Sequence, residues 1–310
     1  MNHDDLIGLP TDRPLPLVSV GMPTYNRPQL FAQMLSCVTQ QTYRNLEIIV
    51  SDNCSPTDKT ESMVRALMTE DPRIRYFKQS QNIGAIANFA FVLQQATGEY
   101  FIWAADDDSW HERYIEKCMD KLLHNRQLVL CYSEPLVKNI AKQTETRRNS
   151  DLTTVGLTKR AAIRKILLNQ RLNTEFYGVM KTAVAARYQL RNRFGDDHLF
   201  LLHMAFNGEI DKTDPWLYTT SGGTISANLG SLIAGLGLSH WHWYIPWLIQ
   251  SANIIKLILL SSQLTIVDKL SGIGSVGKRL MTPYYKSKVR AGLLTGVEAI
   301  RKSVWGLGKR

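Results

Sequence analysis

The chain has 310 residues, 44% of them hydrophobic, enough for one large domain or two smaller ones around a sizeable core. Its formal charge of +10 sits mostly at one end: Lys269 to Arg310 carries ten Lys or Arg against the single acid Glu298. The basic balance therefore describes a C-terminal segment and is not evidence for a nucleic-acid-binding domain. Cys37, Cys54, Cys118 and Cys131 show neither Cys-x-x-Cys nor zinc spacing and read as reduced thiols in cytosol. Met1 to Pro16 lacks the basic start and apolar run of a signal peptide, so export by that route is not expected.

In chain order, Leu17 to Met22 predicts a short strand ending at Pro23-Thr24-Tyr25-Asn26-Arg27-Pro28. Pro28 is well placed in a first helical turn, and Leu30, Met34, Leu35 and Val38 give that helix an apolar face. Leu46 to Ser51 predicts a second buried strand, followed by Asp52-Asn53-Cys54-Ser55; Ser55, Pro56 and Asp58 then open a helix running to about Met68. Ile74 to Phe77 is a short strand, Asn82-Ile83-Gly84 a turn, and a helix from about Ala85 to Ala96 stops at Gly98.

Tyr100 to Ala105 is an apolar, aromatic-rich run that ends in Asp106-Asp107-Asp108. It reads as a buried strand with its acidic end at the sheet's edge. Ser109, with Glu112 three residues on, predicts a capping box for a helix that buries Ile115, Cys118, Met119, Leu122 and Leu123. Three adjacent carboxylates repel one another, and oxygen ligands of this kind suit Mg2+ or Mn2+. The simpler reading is an acidic turn favoured by a helix dipole.

Strands alternating with helices indicate a parallel α/β sheet, in which ligands sit beyond the carboxyl ends of the strands. Residues 23–27, 52–55 and 106–109 all fall there and should converge on one crevice. There is no Gly-x-Gly-x-x-Gly after the first strand and no Gly-x-x-x-x-Gly-Lys-Ser/Thr, which disfavours a dehydrogenase or a P-loop ATPase.

With Pro-Thr-Tyr-Asn-Arg (23–27), Ser-Asp-Asn-Cys-Ser (51–55), Asn-Ile-Gly (82–84), Asn88 and Asp-Asp-Asp (106–108) in that order, residues 18–137 resemble the nucleotide-binding half of the family 2 glycosyltransferases. The resemblance implies the GT-A fold, an α/β architecture with a mostly parallel central sheet flanked by helices. It also implies that Thr24, Tyr25 and Asn26 line a nucleotide pocket, with Pro23 shaping the turn, and that Asp52 accepts a hydrogen bond from a pyrimidine. Asn82 and Asn88 match positions near the donor, Asp106 one near the ribose, and Asp108 the ligand of a metal bridging diphosphate oxygens. Asp107 is grouped with the donor-binding residues, and either neighbour of Asp108 could share the metal. Without the resemblance, Asp52 is equally a turn or cap residue.

Farther on, Leu128 to Tyr132 predicts another strand, Lys138 to Leu152 an exposed loop or hairpin, and Thr158 a helix with Ile163, Ile166 and Leu167 inward. Asn173 to Lys181 reads as a loop entering a strand, in the region that faces the acceptor in the family. Asp196-Asp197 opens a helix that buries Leu199, Leu202, Ala205 and Phe206. The pair resembles the family's acidic pair, whose second member, here Asp197, is the catalytic base; simple capping is the alternative. The implied reaction inverts the anomeric centre, with Asp197 taking the acceptor's proton and a metal stabilising the departing diphosphate.

From Pro215 to Ile255 there is no Asp, Glu, Lys or Arg. This span holds Ser221-Gly222-Gly223-Thr224, read as a loop over the donor, and His240 and His242, which either contact metal or phosphate or are structural. The apolar helix after Trp247 is not a convincing membrane span. It reads as a core or dimer helix, or as an interfacial one. Basic residues including Lys278, Arg279, Lys286 and Lys288 suggest an anchor for anionic lipid, with a solvated charged helix as the alternative.

The expected layout is a tail at 1–16, a GT-A catalytic domain at 17–225 (nucleotide-sugar half 17–137, acceptor half 138–225) and an apolar, then basic, helical C-terminal extension at 226–310. The expected activity is metal-dependent transfer, with Mn2+ or Mg2+, from a nucleotide-diphosphate sugar to a saccharide or lipid-linked saccharide. It would serve cell-surface glycan synthesis in the cytoplasm, peripheral on the inner face of the membrane, with self-association allowed and no nucleic acid involved. A nucleotidyltransferase would want a glycine-rich basic loop that Gly21 to Arg27 lacks. The rival of another class is a non-catalytic subunit that binds nucleotide sugar or glycan.

Overall fold

The computed structural model describes residues 14–139, 143–169, 174–222 and 246–282. Two βα units open the chain: β1 (Val18–Thr24), α1 (Pro28–Thr39), β2 (Leu46–Asp52) and α2 (Lys59–Met68). β3 (Ile74–Lys78), α3 (Ala85–Gln94) and β4 (Tyr100–Trp103) continue the pattern. The middle of the chain forms β5 (Asp108–Trp110), α4 (Tyr114–His124), β6 (Leu128–Tyr132), β7 (Pro135–Asn139), β8 (Thr144–Arg147) and α5 (Lys159–Asn169). A 3-10 turn (Thr174–Tyr177) leads into β9 (Val179–Lys181), α6 (Thr182–Ala185), α7 (Asp196–Asn207), β10 (Glu209–Lys212) and β11 (Tyr218–Gly222). The last described helices are α8 (Pro246–Leu260) and α9 (Ile266–Met281).

The main sheet has the order β10-β6-β9-β4-β1-β2-β3. β4, β1, β2 and β3 are mutually parallel, as are β10 and β6, and β9 runs antiparallel between β4 and β6. The expected mostly parallel sheet is therefore present. β1 and β2 are buried along their whole length, their polar residues Ser19, Glu47 and Ser51 included. β1 extends two residues past Met22, because Pro23 and Thr24 still pair with Ser51 and Asp52. Pro23 is tolerated because pairing with β4 has already ended at Gly21. A Cβ on Gly21 would lie 2.7 Å from both Phe101 Cζ and Val92 Cγ2, so this glycine lets α3 close on the sheet.

Helices cover both faces. On one, α1 buries Phe31, Met34, Leu35 and Val38, and α4 buries Ile115, Cys118, Met119 and Leu122. On the other, Trp103, Phe176 and Phe200 pack with Ile254, Ile258 and Val276 of the C-terminal helices. α8 is thus a core helix, and among the described residues no helix is long and apolar enough to cross a membrane. Arg279 departs from the expected lipid-facing set. It is 1% exposed, on the inward stripe of α9 with Gly272, Ser275 and Val276.

A second sheet, β5-β11-β7-β8, was not foreshadowed by local pattern. Its β7–β8 pair is the hairpin expected near residue 138. Its β5 corrects the expectation of a helix starting at Ser109. Asp108, Ser109 and Trp110 pair antiparallel with Thr220, Thr219 and Tyr218, so the segment is extended. The helix begins only at Tyr114, capped by Arg113 without a side-chain bond, and the capping box with Glu112 does not form. Residues 1–13, Gly223, Thr224, His240, His242 and the basic tail from 283 onward lie outside the described residues.

Candidate active site

β1, β2 and β4 present their carboxyl ends side by side, and the polar segments that follow them meet there. Thr24 Oγ1 donates to Asp106 Oδ2 at 3.1 Å, which ties the end of β1 to the acidic segment. Asn26, with φ of +54°, turns its N–H to Ser55 Oγ at 2.8 Å, linking the first cluster to the second. Tyr25 projects outward, 44% exposed. The three clusters converge, as chain order and strand polarity required.

Arg27, in sequence the last residue of the first polar motif, has a definite task here. Its Nη1 lies 2.9 Å from Asp106 Oδ1 and 3.7 Å from Asp107 Oδ2, so the protein supplies its own cation to two of the three acids. Asp106 is nonetheless pushed above the usual carboxylate range, because burial outweighs Arg27 and Asp107 adds repulsion. The signal available in the sequence was a lone basic residue closing a polar cluster at a strand end that faces three carboxylates.

Asp108 is held apart from its neighbours. As the first residue of β5 it is 8% exposed, and its Oδ2 accepts a 2.6 Å hydrogen bond from Tyr218 Oη. Burial, resisted by the Tyr218 bond and reinforced by the charge of Asp107, pushes its carboxyl up to about 7. A carboxylate in that condition has a strong demand for positive charge. Among the described residues no three His, Cys, Asp or Glu side chains form a metal cage. The oxygen-only donors Asp107 and Asp108 suit a hard divalent ion that takes one or two carboxylates and completes its shell with water and phosphate oxygens.

The remaining sequence candidates take supporting positions. Asp52 is fully buried: Oδ1 accepts from the Ser55 N–H at 2.8 Å and Oδ2 from Tyr76 Oη at 3.2 Å. Each oxygen keeps a second acceptor site. Asn88 locks α3 to β2, accepting from Ser51 Oγ at 2.6 Å and donating to the Ser51 carbonyl at 3.0 Å. Asn82 Oδ1 accepts from Asn53 Nδ2 and from the Gly84 N–H, both at 2.9 Å, shaping the turn before α3.

The acidic pair at the start of α7 divides its work. Asp196 is 4% exposed and structural: Tyr188 Oη, the Arg191 N–H and Arg193 Nε all donate to it. Asp197 stays partly open to solvent, and its Oδ1 accepts from the His198 N–H at 2.9 Å. Dense protein around it still strips its carboxyl of solvation, which pushes it up to about 6.

Four aromatic residues connect the acids. Tyr218, which holds Asp108, stacks on Tyr177 with ring centroids 5.9 Å apart and planes at 14°. Phe176, next in chain to Tyr177, packs edge-on against Phe200 at 5.1 Å. Phe200 is one helical turn from Asp197, so the two share a face of α7. Burial first, then the charges of Asp108, Asp107, Asp197 and Asp106, hold the Tyr177 hydroxyl well above the ordinary phenol range. Both acidic groups therefore act on this one hydroxyl. Glu175, 1% exposed, accepts from Ser150 Oγ through one oxygen, while Oε2 has no hydrogen-bond partner among the described residues. Burial pushes it up to about 7, with Asp197 adding repulsion. Sequence reasoning missed Tyr177 and Glu175 because they fall in a segment that reads as a loop, with nothing local to mark their burial.

Residues 19–191 match the model of glycosyl transferase family 2. A GalNAc(5)-diNAcBac-PP-undecaprenol beta-1,3-glucosyltransferase of Campylobacter jejuni is 29% identical over 212 residues, 62% of this chain and 64% of its own length. The chain thus spans less than two thirds of that relative. Among solved structures, S. aureus TarS 1-349 in complex with UDP-GlcNAc superposes with a TM-score of 0.63 at 17% identity, covering 86% of this chain and 72% of that one. Mannosyltransferase PcManGT from Pyrobaculum calidifontis, in complex with GDP-Man and Mn2+, gives 0.52 at 16% identity, covering 97% and 90%. With more than half its length matched and the sheet order described above, the chain belongs to glycosyl transferase family 2 and has the GT-A fold.

Proposed function

We propose that this protein is an inverting glycosyltransferase that moves a sugar from a nucleotide-diphosphate sugar to an acceptor hydroxyl. The observation that carries the reading is the linkage of Asp108 to the Asp197 face of α7 through Tyr218, Tyr177, Phe176 and Phe200. In this reading Asp108 is the phosphate-side acid and Asp197 the base. Pro23, Thr24, Tyr25, Asn26, Asp52, Asn82, Asn88 and Asp106 form or support the donor pocket in this reading. Asp197 takes the proton of the acceptor oxygen as that oxygen attacks the anomeric carbon opposite the leaving diphosphate. A carboxylate pushed up to about 6 is ionised at neutral pH yet basic enough to accept a proton. Asp108, with Asp107, would hold Mn2+ or Mg2+, which when bound supplies positive charge to the leaving diphosphate. Arg27 keeps Asp106 and Asp107 from repelling the donor.

A lipid-linked saccharide is the acceptor class we favour, on two grounds. The Campylobacter relative is named for a diphosphate-undecaprenol acceptor. The outer side of α9 also exposes Ile266, Val267, Leu270 and Met281, an apolar face next in chain to the basic segment that begins after residue 282. This suits a peripheral position on an anionic leaflet at the cytoplasmic side. The test has two arms. Mn2+-dependent protection against heat, screened over UDP- and GDP-sugars, should pick out a donor, and Asp197→Asn should keep that protection while losing transfer. Protection by no sugar nucleotide, or transfer undiminished in the variant, removes the reading. Flotation with anionic liposomes, with and without residues 283–310, tests the membrane component separately.

A further inference from the structure

The start of α7 is gripped by the C-terminal helices, and this grip lies beyond the residues matched to the family. Trp247 of α8 meets Phe194 edge-on, with ring centroids 4.8 Å apart. Gln250, 2% exposed, approaches Gly195 so closely that a Cβ there would stand 1.9 Å from Gln250 Nε2. Gly195 also has φ of +71°, a left-handed conformation that glycine adopts without penalty. Arg279 of α9, 1% exposed, directs Nη2 to His198 Nδ1 at 3.3 Å and to Gln250 Oε1 at 3.4 Å. Residues 194, 195 and 198 are therefore contacted from the extension, and Asp197 lies between the last two. Burying a guanidinium is costly, and one placed beside a catalytic helix points to a role in holding geometry.

We infer that α8 and α9 set the position of Asp197 for transfer, with Arg279 and Gln250 as positioning residues that act through His198 and Gly195. The inference rests on Asp197 being the base. His198 is suited to its part because burial, and then Arg279, push its imidazole down to about 3, so the ring is neutral and Nδ1 accepts the guanidinium N–H. A helix start shifted by a fraction of an ångström costs proton transfer more than donor binding, because the donor-side acids sit at the end of β2, in the segment after β4 and on β5.

The test uses the full chain, with UDP plus Mn2+ as the probe of the donor side and release of nucleoside diphosphate from a panel of UDP- and GDP-sugars as the probe of chemistry. Arg279→Met is expected to lower kcat about tenfold or more while KM for the donor and heat protection by UDP stay within about twofold. Arg279→Lys should recover part of the loss. Gly195→Ala, which pushes α7 from Gln250 and leaves the Arg279 side chain itself unaltered, should give the same split and serves if Arg279→Met does not fold. Normal kcat in either variant, or a fall in kcat matched by an equal fall in UDP protection, overturns the inference. Full turnover by Asp197→Asn overturns the functional reading beneath it. An inactive Asp197→Asn beside normal Arg279→Met and Gly195→Ala overturns the positioning role alone.

Discussion

Tyr218 Oη donates a 2.6 Å hydrogen bond to Asp108 Oδ2, joining residues 110 apart in the chain. This contact sets the buried acid's environment and anchors the Tyr177 ring. It follows from the pairing of β5 with β11 in the second sheet. Tyr218→Phe should keep the stack and remove the donor. The loss of one hydrogen bond to a buried carboxyl costs about 1–3 kcal/mol of stability. It should also push Asp108 further up, so that half-maximal protection by UDP needs more Mn2+ at pH 7 than in the parent, with the gap closing as pH rises.

The pH dependence of turnover should report Asp197. Protonated, it cannot accept the acceptor's proton, so kcat is expected to rise with pH through about 6 and level off above. Asp197→Asn should lower kcat by about 10²–10⁴-fold and abolish that limb, measured as nucleoside diphosphate release across the range.

Stability should fall as pH rises toward neutrality, with Glu175 as one cause. Its folded-state value of about 7 lies above its ordinary 4.5, so the folded chain binds the proton more tightly. The stabilisation this supplies is complete below its ordinary value and lost as pH rises through about 7. Asp108 and Asp197 act in the same direction. Glu175→Gln should flatten the dependence, read as the urea midpoint at successive pH values.

Tyr177→Phe keeps the ring between Tyr218 and Phe176 and deletes only the hydroxyl on which four acids act. If that hydroxyl meets bound substrate, its loss costs about 0.5–1.5 kcal/mol of transition-state or donor binding, a few-fold change in kcat/KM. Unchanged kcat/KM with unchanged melting temperature would assign Tyr177 to packing alone.

Trp103 underlies the site as a fully buried ring stacked on Phe176 at 4.3 Å and 4°, with Nε1 donating to the Phe89 carbonyl at 3.0 Å. Trp103→Ala should cost about 3–5 kcal/mol and loosen the turn that carries Glu175 and Tyr177. Denaturant titration measures the first effect, and donor KM the second.

The amino-acid sequence by itself determined the alternation of strands and helices, the buried character of β2 and β4, and the meeting of residues 23–27, 52–55 and 106–109 at one sheet edge. These follow from hydrophobic periodicity and from strand polarity in a parallel sheet, both written into short stretches of chain. Tertiary structure decided the rest. Ser109 carries the local signal of a helix cap, yet it is extended because β11 supplies a partner strand from more than a hundred residues away. Arg27, Glu175, Tyr177 and Arg279 draw their character from neighbours remote in sequence, as Arg279 does from His198, 81 positions away. A charge or hydroxyl owes its solvation and partners to the fold around it, and no local pattern records either.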